Sequence, residues 1–174
     1  MKQSQNTTFY ILGILIFIGL KFGFSNANNN QILFLIKPLN YLVSVLIDSL
    51  YTYNNEIGFF HEKLNITIDK SCSGFNFWML SFILFYFSML KHLKKYLYKF
   101  LLIPIALLIS YVLTLFVNTS RILTSIFIEK TTQLNYTWLH QAEGVFIYLS
   151  FLIIFYITIN YFQIKLFKNY EKLT

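Results

Sequence analysis

The stretch FNFWMLSFILFYFSML, residues Phe75–Leu90, is followed directly by the basic segment KHLKK. An uncharged run of this length, ended by lysines, predicts a helix that crosses a lipid bilayer. Similar runs occur at Phe100–Val117, where a helical pattern continues to Ile128, and at Gly144–Tyr161. The composition agrees, because 12% of the residues are charged, whereas about 25% is usual in a soluble domain. We therefore predict one membrane-embedded domain over residues 1–174.

The apolar run Phe9–Leu20, extended by Phe22 and Phe24, predicts a further span if the Lys21 ammonium reaches the membrane interface. A cleavable signal peptide is the alternative, but the processing signal is weak and favours an uncleaved span.

The stretch Ile32–Tyr53 is apolar but is interrupted by Lys37-Pro38 and by Asp48. The remaining run of about a dozen residues is short for a span and suits an interfacial or re-entrant helix, so whether this stretch crosses the membrane is left open. The predicted fold is therefore an all-α integral membrane protein, a bundle of about four to five transmembrane helices.

Polar segments separate these runs. Gly23–Asn30 predicts a turn, and Glu129–Trp138 predicts a connector. Asn54–Lys70 is the most polar part of the middle of the chain, and its residues Lys63–Asp69 alternate polar and apolar side chains, which is typical of a short strand. We expect this short extracytoplasmic segment to lead directly into Cys72.

The distribution of lysines predicts the orientation in the membrane. Lys91–Lys99 carries four lysines between two predicted spans, and such loops normally lie in the cytoplasm. The opposite ends of those spans, at Cys72 and at Asn118–Arg121, then face outward, as does His140 at the start of the last span. The net charge of +7 is thus explained by topology, and no nucleic-acid partner is expected.

Cys72 is the only cysteine of the chain, so an internal disulfide and a zinc site of several thiolates are excluded. A lone cysteine is commonly a small buried apolar residue. Here, however, Ser71-Cys72-Ser73-Gly74 precedes an apolar helix that Ser71 or Asp69 can cap, which predicts Cys72 in the first helical turn. Backbone N–H groups there favour a thiolate, and Gly74 leaves room for a substrate backbone.

Arg121 is the only arginine among fourteen basic residues and ends the segment Asn118-Thr119-Ser120-Arg121. Its planar, permanently charged fork suits a carbonyl oxygen or an oxyanion, although a membrane-edge anchor is the plainer interpretation. His140 can protonate a leaving amine, and Glu143, three residues later, can orient it on a helix. His61 is the alternative histidine on the same side, and a lone interfacial histidine is more often structural.

The ordered set of Ser71-Cys72-Ser73-Gly74 at the start of one span, Asn118-Thr119-Ser120-Arg121 at the end of the next and His140 at the start of a third resembles the exosortase/archaeosortase family. The resemblance covers roughly residues 58–161. The short chain and the sequence CSGFNFW from Cys72 to Trp78 are most similar to the exosortase K group.

This resemblance implies a cofactor-independent cysteine transpeptidase or peptidase of the cytoplasmic membrane, with its site facing outward. Its partners would be the lipid bilayer and exported proteins with a C-terminal sorting signal, which comprises a short motif, a transmembrane helix and a basic tail. Cys72 would be the nucleophile, Arg121 the group that binds the oxyanion and positions the substrate, and His140 the acid/base. The remaining motif residues would support them: Ser71, Ser73, Gly74, Asn118 and Glu143.

Two other functional classes compete with this interpretation. One is a non-enzymatic membrane scaffold or transporter subunit, in which Cys72 only packs and Arg121 binds an anion. The other is a thiol-redox protein, which the absence of a second cysteine disfavours.

Overall fold

The computed structural model describes residues 2–132 and 137–171, and the side chains of residues 6–129 and 142–165. Its helices are α1 (Lys2–Asn26), α2 (Leu33–Ile47), α3 (Phe75–Leu90), α4 (Tyr96–Thr132) and α5 (Thr137–Glu171). Three short strands, β1 (Thr52–Asn54), β2 (Gly58–His61) and β3 (Ile66–Ile68), lie between α2 and α3.

Five helical segments of the described chain are long and apolar enough to cross a membrane. They are Asn6–Asn26, Asn30–Ile47, Lys70–Leu90, Tyr96–Glu129 and Ala142–Lys165. The chain is therefore a multi-pass membrane protein, and the predicted helical bundle is confirmed. The stretch that leads to Cys72 adds a small sheet to it.

The central helix α3 packs against α1, α4 and α5. At one end of the bundle, Phe9 of α1 lies in a buried cluster with Tyr86 and Leu90 of α3 and Leu102 of α4. Tyr86 Oη donates a hydrogen bond to the Phe9 carbonyl at 3.1 Å. At the same end Lys99 contacts α1, so we call it the Lys99 end. The opposite end is called the Cys72 end.

Helix α2 runs without interruption through Pro38, so the prediction that Lys37-Pro38 breaks it was wrong. A proline inside a helix leaves the carbonyl four residues earlier without its usual N–H donor. That carbonyl belongs to Phe34, and the Tyr111 hydroxyl of α4 donates to it instead. The predicted interruption at Asp48 is confirmed, because Asp48 takes a left-handed conformation with φ of 52° and ends the helix.

The three strands form an antiparallel sheet in the order β1-β2-β3. The predicted strand within Lys63–Asp69 is confirmed as β3, whereas β1 and β2 are additional. Phe59 and Ile68 of the sheet join one buried cluster with Ile36, Leu39 and Val43 of α2 and Ile122 and Ile126 of α4. The sheet is thereby fixed to both helices.

Asn29, in the turn after α1, connects the sheet to the segment that carries Cys72. Its Nδ2 donates to the Asn55 and Glu56 carbonyls at 3.3 and 3.0 Å, and its Oδ1 accepts from Lys70 N at 3.0 Å. Lys70 Nζ donates to the Ala27 carbonyl at 2.6 Å. The residues before Cys72 are therefore anchored to the end of α1.

Two predicted connectors are shorter than the sequence indicates. Helix α1 continues to Asn26, so the turn predicted at Gly23–Asn30 begins too early. Asn26 Nδ2 donates back to the Phe22 carbonyl at 3.1 Å, which satisfies one acceptor of the last turn. Of the connector predicted at Glu129–Trp138, residues 129–132 belong to α4 and residues 137–138 to α5, while residues 133–136 lie outside the described part of the chain.

Candidate active site

Cys72 ends a short 3-10 turn, Lys70–Cys72, that Asp69 caps. One Asp69 carboxylate oxygen accepts from Ser71 N at 2.9 Å and from Ser71 Oγ at 2.6 Å. Helix α3 begins only at Phe75, with Gly74 as its N-cap residue. The prediction that Cys72 occupies the first turn of α3 was therefore wrong, because Gly74, with φ of 72°, turns the chain between the two helical segments.

The Cys72 thiol is half-buried and packs against the cluster formed by α2, the sheet and α4. Its Sγ lies 3.8 Å from the Thr67 carbonyl oxygen and 3.7 Å from Ser71 Oγ. Because Ser71 donates its hydroxyl proton to the Asp69 carboxylate, its oxygen remains an acceptor for the thiol proton. The side chain that the sequence identifies as the nucleophile thus sits among acceptors.

Gly74 is packed tightly against Asn118 of α4. A Cβ atom added at Gly74 would lie 2.9 Å from Asn118 Cγ, closer than such atoms normally approach. The positive φ of Gly74 also favours glycine. The Cβ side of Gly74 therefore faces Asn118, whose side chain is buried.

A chain of hydrogen bonds leads from Cys72 to Arg121. Asn118 Nδ2 donates to the Cys72 carbonyl, and Asn118 Oδ1 accepts from Tyr148 Oη at 2.6 Å. Arg121 Nη1 donates to Tyr148 Oη at 3.0 Å. These three side chains, here called the Asn118–Tyr148–Arg121 relay, bring Arg121 and the backbone of Cys72 to the same end of the bundle.

Tyr148 of α5 is a site residue that the sequence reasoning missed. It is one of thirteen tyrosines and belongs to no motif. Its ring lies 5.0 Å from that of Phe77, and the Arg121 guanidinium carbon lies 5.3 Å from the centre of the Tyr148 ring. Gly144, four residues earlier on the same helix face, also lies against the Arg121 side chain, but no pattern in the sequence marks either residue.

Arg121 and Glu143 each keep one buried polar atom without a hydrogen-bond partner among the described residues. These atoms are Arg121 Nε and Glu143 Oε1. The other Glu143 oxygen, Oε2, lies 3.5 Å from Ser125 Oγ. Burying such groups without a partner is costly, so a donor and an acceptor remain available where α4 meets α5.

Of the two candidate histidines, His61 has a described side chain and His140 has only a described backbone. His140 falls in the backbone of α5, but its side chain lies outside the described part, and so does any contact with Glu143. His61 is fully buried, with Nε2 at 2.8 Å from Asn40 Oδ1 and Nδ1 at 3.2 Å from Ser49 Oγ. Burial lowers the pKa of His61. Because both of its ring nitrogens are engaged, His61 is better suited to a structural role than to proton transfer.

The described residues contain no cluster of three or more His, Cys, Asp or Glu side chains able to hold a metal ion.

Comparison with known protein families gives a match to the family described as Transmembrane exosortase (Exosortase_EpsH), over residues 8–157. That range contains Cys72, Asn118, Arg121, His140 and Tyr148. No curated protein and no solved structure matches the chain.

Proposed function

Because this chain belongs to the transmembrane exosortase family, we propose that it is a membrane cysteine transpeptidase or peptidase that cleaves the C-terminal sorting signal of exported proteins. The observation that carries the proposal is the relay that joins the Cys72 backbone to Arg121 at one end of the bundle. The motif around Cys72 further supports assignment to the exosortase K group.

In the first step, the Cys72 thiol passes its proton to His140, and the resulting thiolate attacks the scissile carbonyl carbon and forms the C–S bond. The carbonyl oxygen becomes an oxyanion, which Arg121 stabilises. Removing one such donor from an enzyme typically costs about 3–4 kcal/mol of transition-state stabilisation. Arg121 is suited to this role because its charge is permanent and its guanidinium carries five N–H donors, of which Nη1 directs one to Tyr148.

In the second step, the C–N bond breaks and His140 donates a proton to the departing amine. Cys72 then carries the exported protein as a thioester. An incoming amine attacks this thioester in transpeptidation, and water attacks it in hydrolysis. The attacking group loses a proton to His140, which is neutral after the second step, and the C–S bond breaks to release the Cys72 thiolate. Cysteine-dependent acyl transfer needs a nucleophile, a group that stabilises the oxyanion and an acid/base. Cys72, Arg121 and His140 would supply these three roles.

The proposed substrate has a short recognition motif, a transmembrane helix and a basic cytoplasmic tail. Its helix would lie beside the enzyme in the bilayer, and helix packing would hold the scissile bond near the Cys72 end. The Cys72 end would face outward and the Lys99 end the cytoplasm, as the lysine distribution predicts.

Replacing Cys72 tests the proposal directly. The assay uses an exported reporter whose C-terminus carries a segment of the proposed kind, with a short motif, a transmembrane helix and a basic tail, encoded in the same genome. We expect Cys72→Ala to abolish processing, because alanine cannot form the thioester, and to leave the amount of enzyme in the membrane unchanged. The replacement removes two weak sulfur contacts, at 3.7 and 3.8 Å, and the packing of one half-buried sulfur atom. Reporter cleavage is followed by immunoblotting.

Unchanged processing by Cys72→Ala would reject the enzyme proposal. A scaffold or transporter subunit with a structural cysteine would tolerate this substitution. Trapping the reporter on wild-type Cys72 as a hydroxylamine-sensitive adduct would separately identify the thioester.

A further inference from the structure

The direction of every hydrogen bond in the Asn118–Tyr148–Arg121 relay follows from its chemistry. The Cys72 carbonyl can only accept, so Asn118 must direct Nδ2 toward it. Asn118 Oδ1 then faces Tyr148 and takes the single phenolic proton. The Tyr148 oxygen must therefore accept from Arg121, which has only donors.

The Tyr148 hydroxyl is held in place by three helices. Asn118 and Arg121 come from α4, while the buried Phe77 of α3 packs on the tyrosine ring. Gly144, one turn before Tyr148 on α5, lies against Arg121, since a Cβ added there would be 3.4 Å from Arg121 Cδ. The Arg121 side chain consequently packs against both Tyr148 and Gly144 of α5.

We propose that Tyr148 is a positioning residue of the reaction proposed above, on which this inference rests. Its hydroxyl holds Arg121 at a fixed place relative to the Cys72 peptide, with Asn118 as the link between them. One N–H of Nη1 is directed to Tyr148, which leaves the other N–H groups of the half-buried guanidinium to bind the substrate oxygen. Tyr148 itself contributes no proton to the chemistry, since its only proton is donated to Asn118.

Tyr148→Phe isolates this role because it removes the hydroxyl and keeps the ring that packs on Phe77. With the purified full-length protein and the reporter described above, we expect kcat to fall roughly 10- to 100-fold, since misplacing a catalytic group by about 1 Å has an effect of this size. KM should change less than about twofold, because the hydroxyl does not bind the substrate.

Tyr156→Phe is the matched control. It makes the same chemical change on the same helix at a side chain that is 49% exposed. We expect wild-type kcat and KM from it. A monodisperse elution profile and an unfolding midpoint close to wild type will show that Tyr148→Phe is folded.

The double variant Tyr148→Phe/Arg121→Lys, compared with the two single variants, distinguishes a tyrosine that acts through Arg121 from one that only packs. If Tyr148 acts through Arg121, its loss has little further effect once the guanidinium is gone, and the two effects on kcat are not additive. Wild-type kcat in Tyr148→Phe, or additive effects in the double variant, would overturn the inference while Cys72→Ala still abolishes cleavage. Cleavage that survives Cys72→Ala would overturn the proposed function and this inference together.

Discussion

At the residue scale, His61 shows how a titratable side chain can serve the fold of the segment before Cys72. It is buried between Asn40 of α2 and Ser49, and so ties the end of β2 to α2. Burial lowers the pKa of His61 from its ordinary value of 6.5. The unfolded chain therefore takes up a proton at a higher pH than the folded protein does.

We accordingly expect the free energy of unfolding to decrease as the pH falls below about 6.5. Once the pH is below the pKa of His61 in the folded protein, His61 is protonated in both states, and its contribution to this decrease ends. Each unit of pKa depression corresponds to about 1.4 kcal/mol. Above that range both states are neutral, and His61 contributes no pH dependence. Unfolding in detergent at a series of pH values measures the effect.

His61→Gln should remove this component of the pH dependence, whereas His92→Gln, at the opposite end of the bundle, should retain it. His92 Nε2 pairs with Gln163 Oε1 at 3.2 Å. Equal pH profiles for the wild type and His61→Gln would contradict the assignment of the effect to His61.

At the scale of elements, Lys99 joins the start of α4 to α1. Its side chain is 3% exposed, its Nζ donates to Asn6 Oδ1 at 2.6 Å, and the rings of Phe9 and Tyr96 lie 5.4 and 5.5 Å from the charge. The sequence counts Lys99 with its neighbours as a marker of topology. The structure adds a packing role that those exposed neighbours do not have.

We expect Lys99→Met to lower the free energy of unfolding by about 1.5–3 kcal/mol, the usual contribution of a hydrogen bond to a charged group. Lys94→Met is the matched control, because Lys94 is exposed, and should change stability by less than about 0.5 kcal/mol. Denaturant titration in detergent compares the two variants. Equal losses would show that Lys99 does not hold α1 against α4.

The same scale shows which features the sequence predicts. The bounds of α3, Phe75–Leu90, follow from local composition, because an apolar run must end where lysines meet water. The helix around Pro38 is different, since the Tyr111 hydroxyl that bonds the freed Phe34 carbonyl lies 77 residues beyond Phe34. Tyr148 is likewise identified by partners 27 and 30 residues distant, Arg121 and Asn118. Contacts of this kind depend on how helices pack, which hydropathy and charge patterns do not determine.

At the scale of the whole molecule, one cysteine is enough to determine which end of the bundle faces outward. Cys72 lies at one end of the bundle, and the exposed Lys94 lies in the connection between α3 and α4, at the other end. If the Lys99 end is cytoplasmic, a charged methanethiosulfonate reagent that cannot cross the membrane should modify Cys72 in intact cells. In a Cys72→Ala background, Lys94→Cys should react only with a permeant maleimide.

The half-buried thiol requires a small reagent, and reaction of both cysteines after the membrane is permeabilised will show that each is accessible. Exclusive labelling of Lys94→Cys by the charged reagent would reverse the orientation. It would also place Cys72 and Arg121 on the cytoplasmic side, where a thiol cannot meet an exported protein after its translocation. The result therefore tests the topology and the proposed reaction together, since the chemistry requires the nucleophile and the exported substrate to share one side of the membrane.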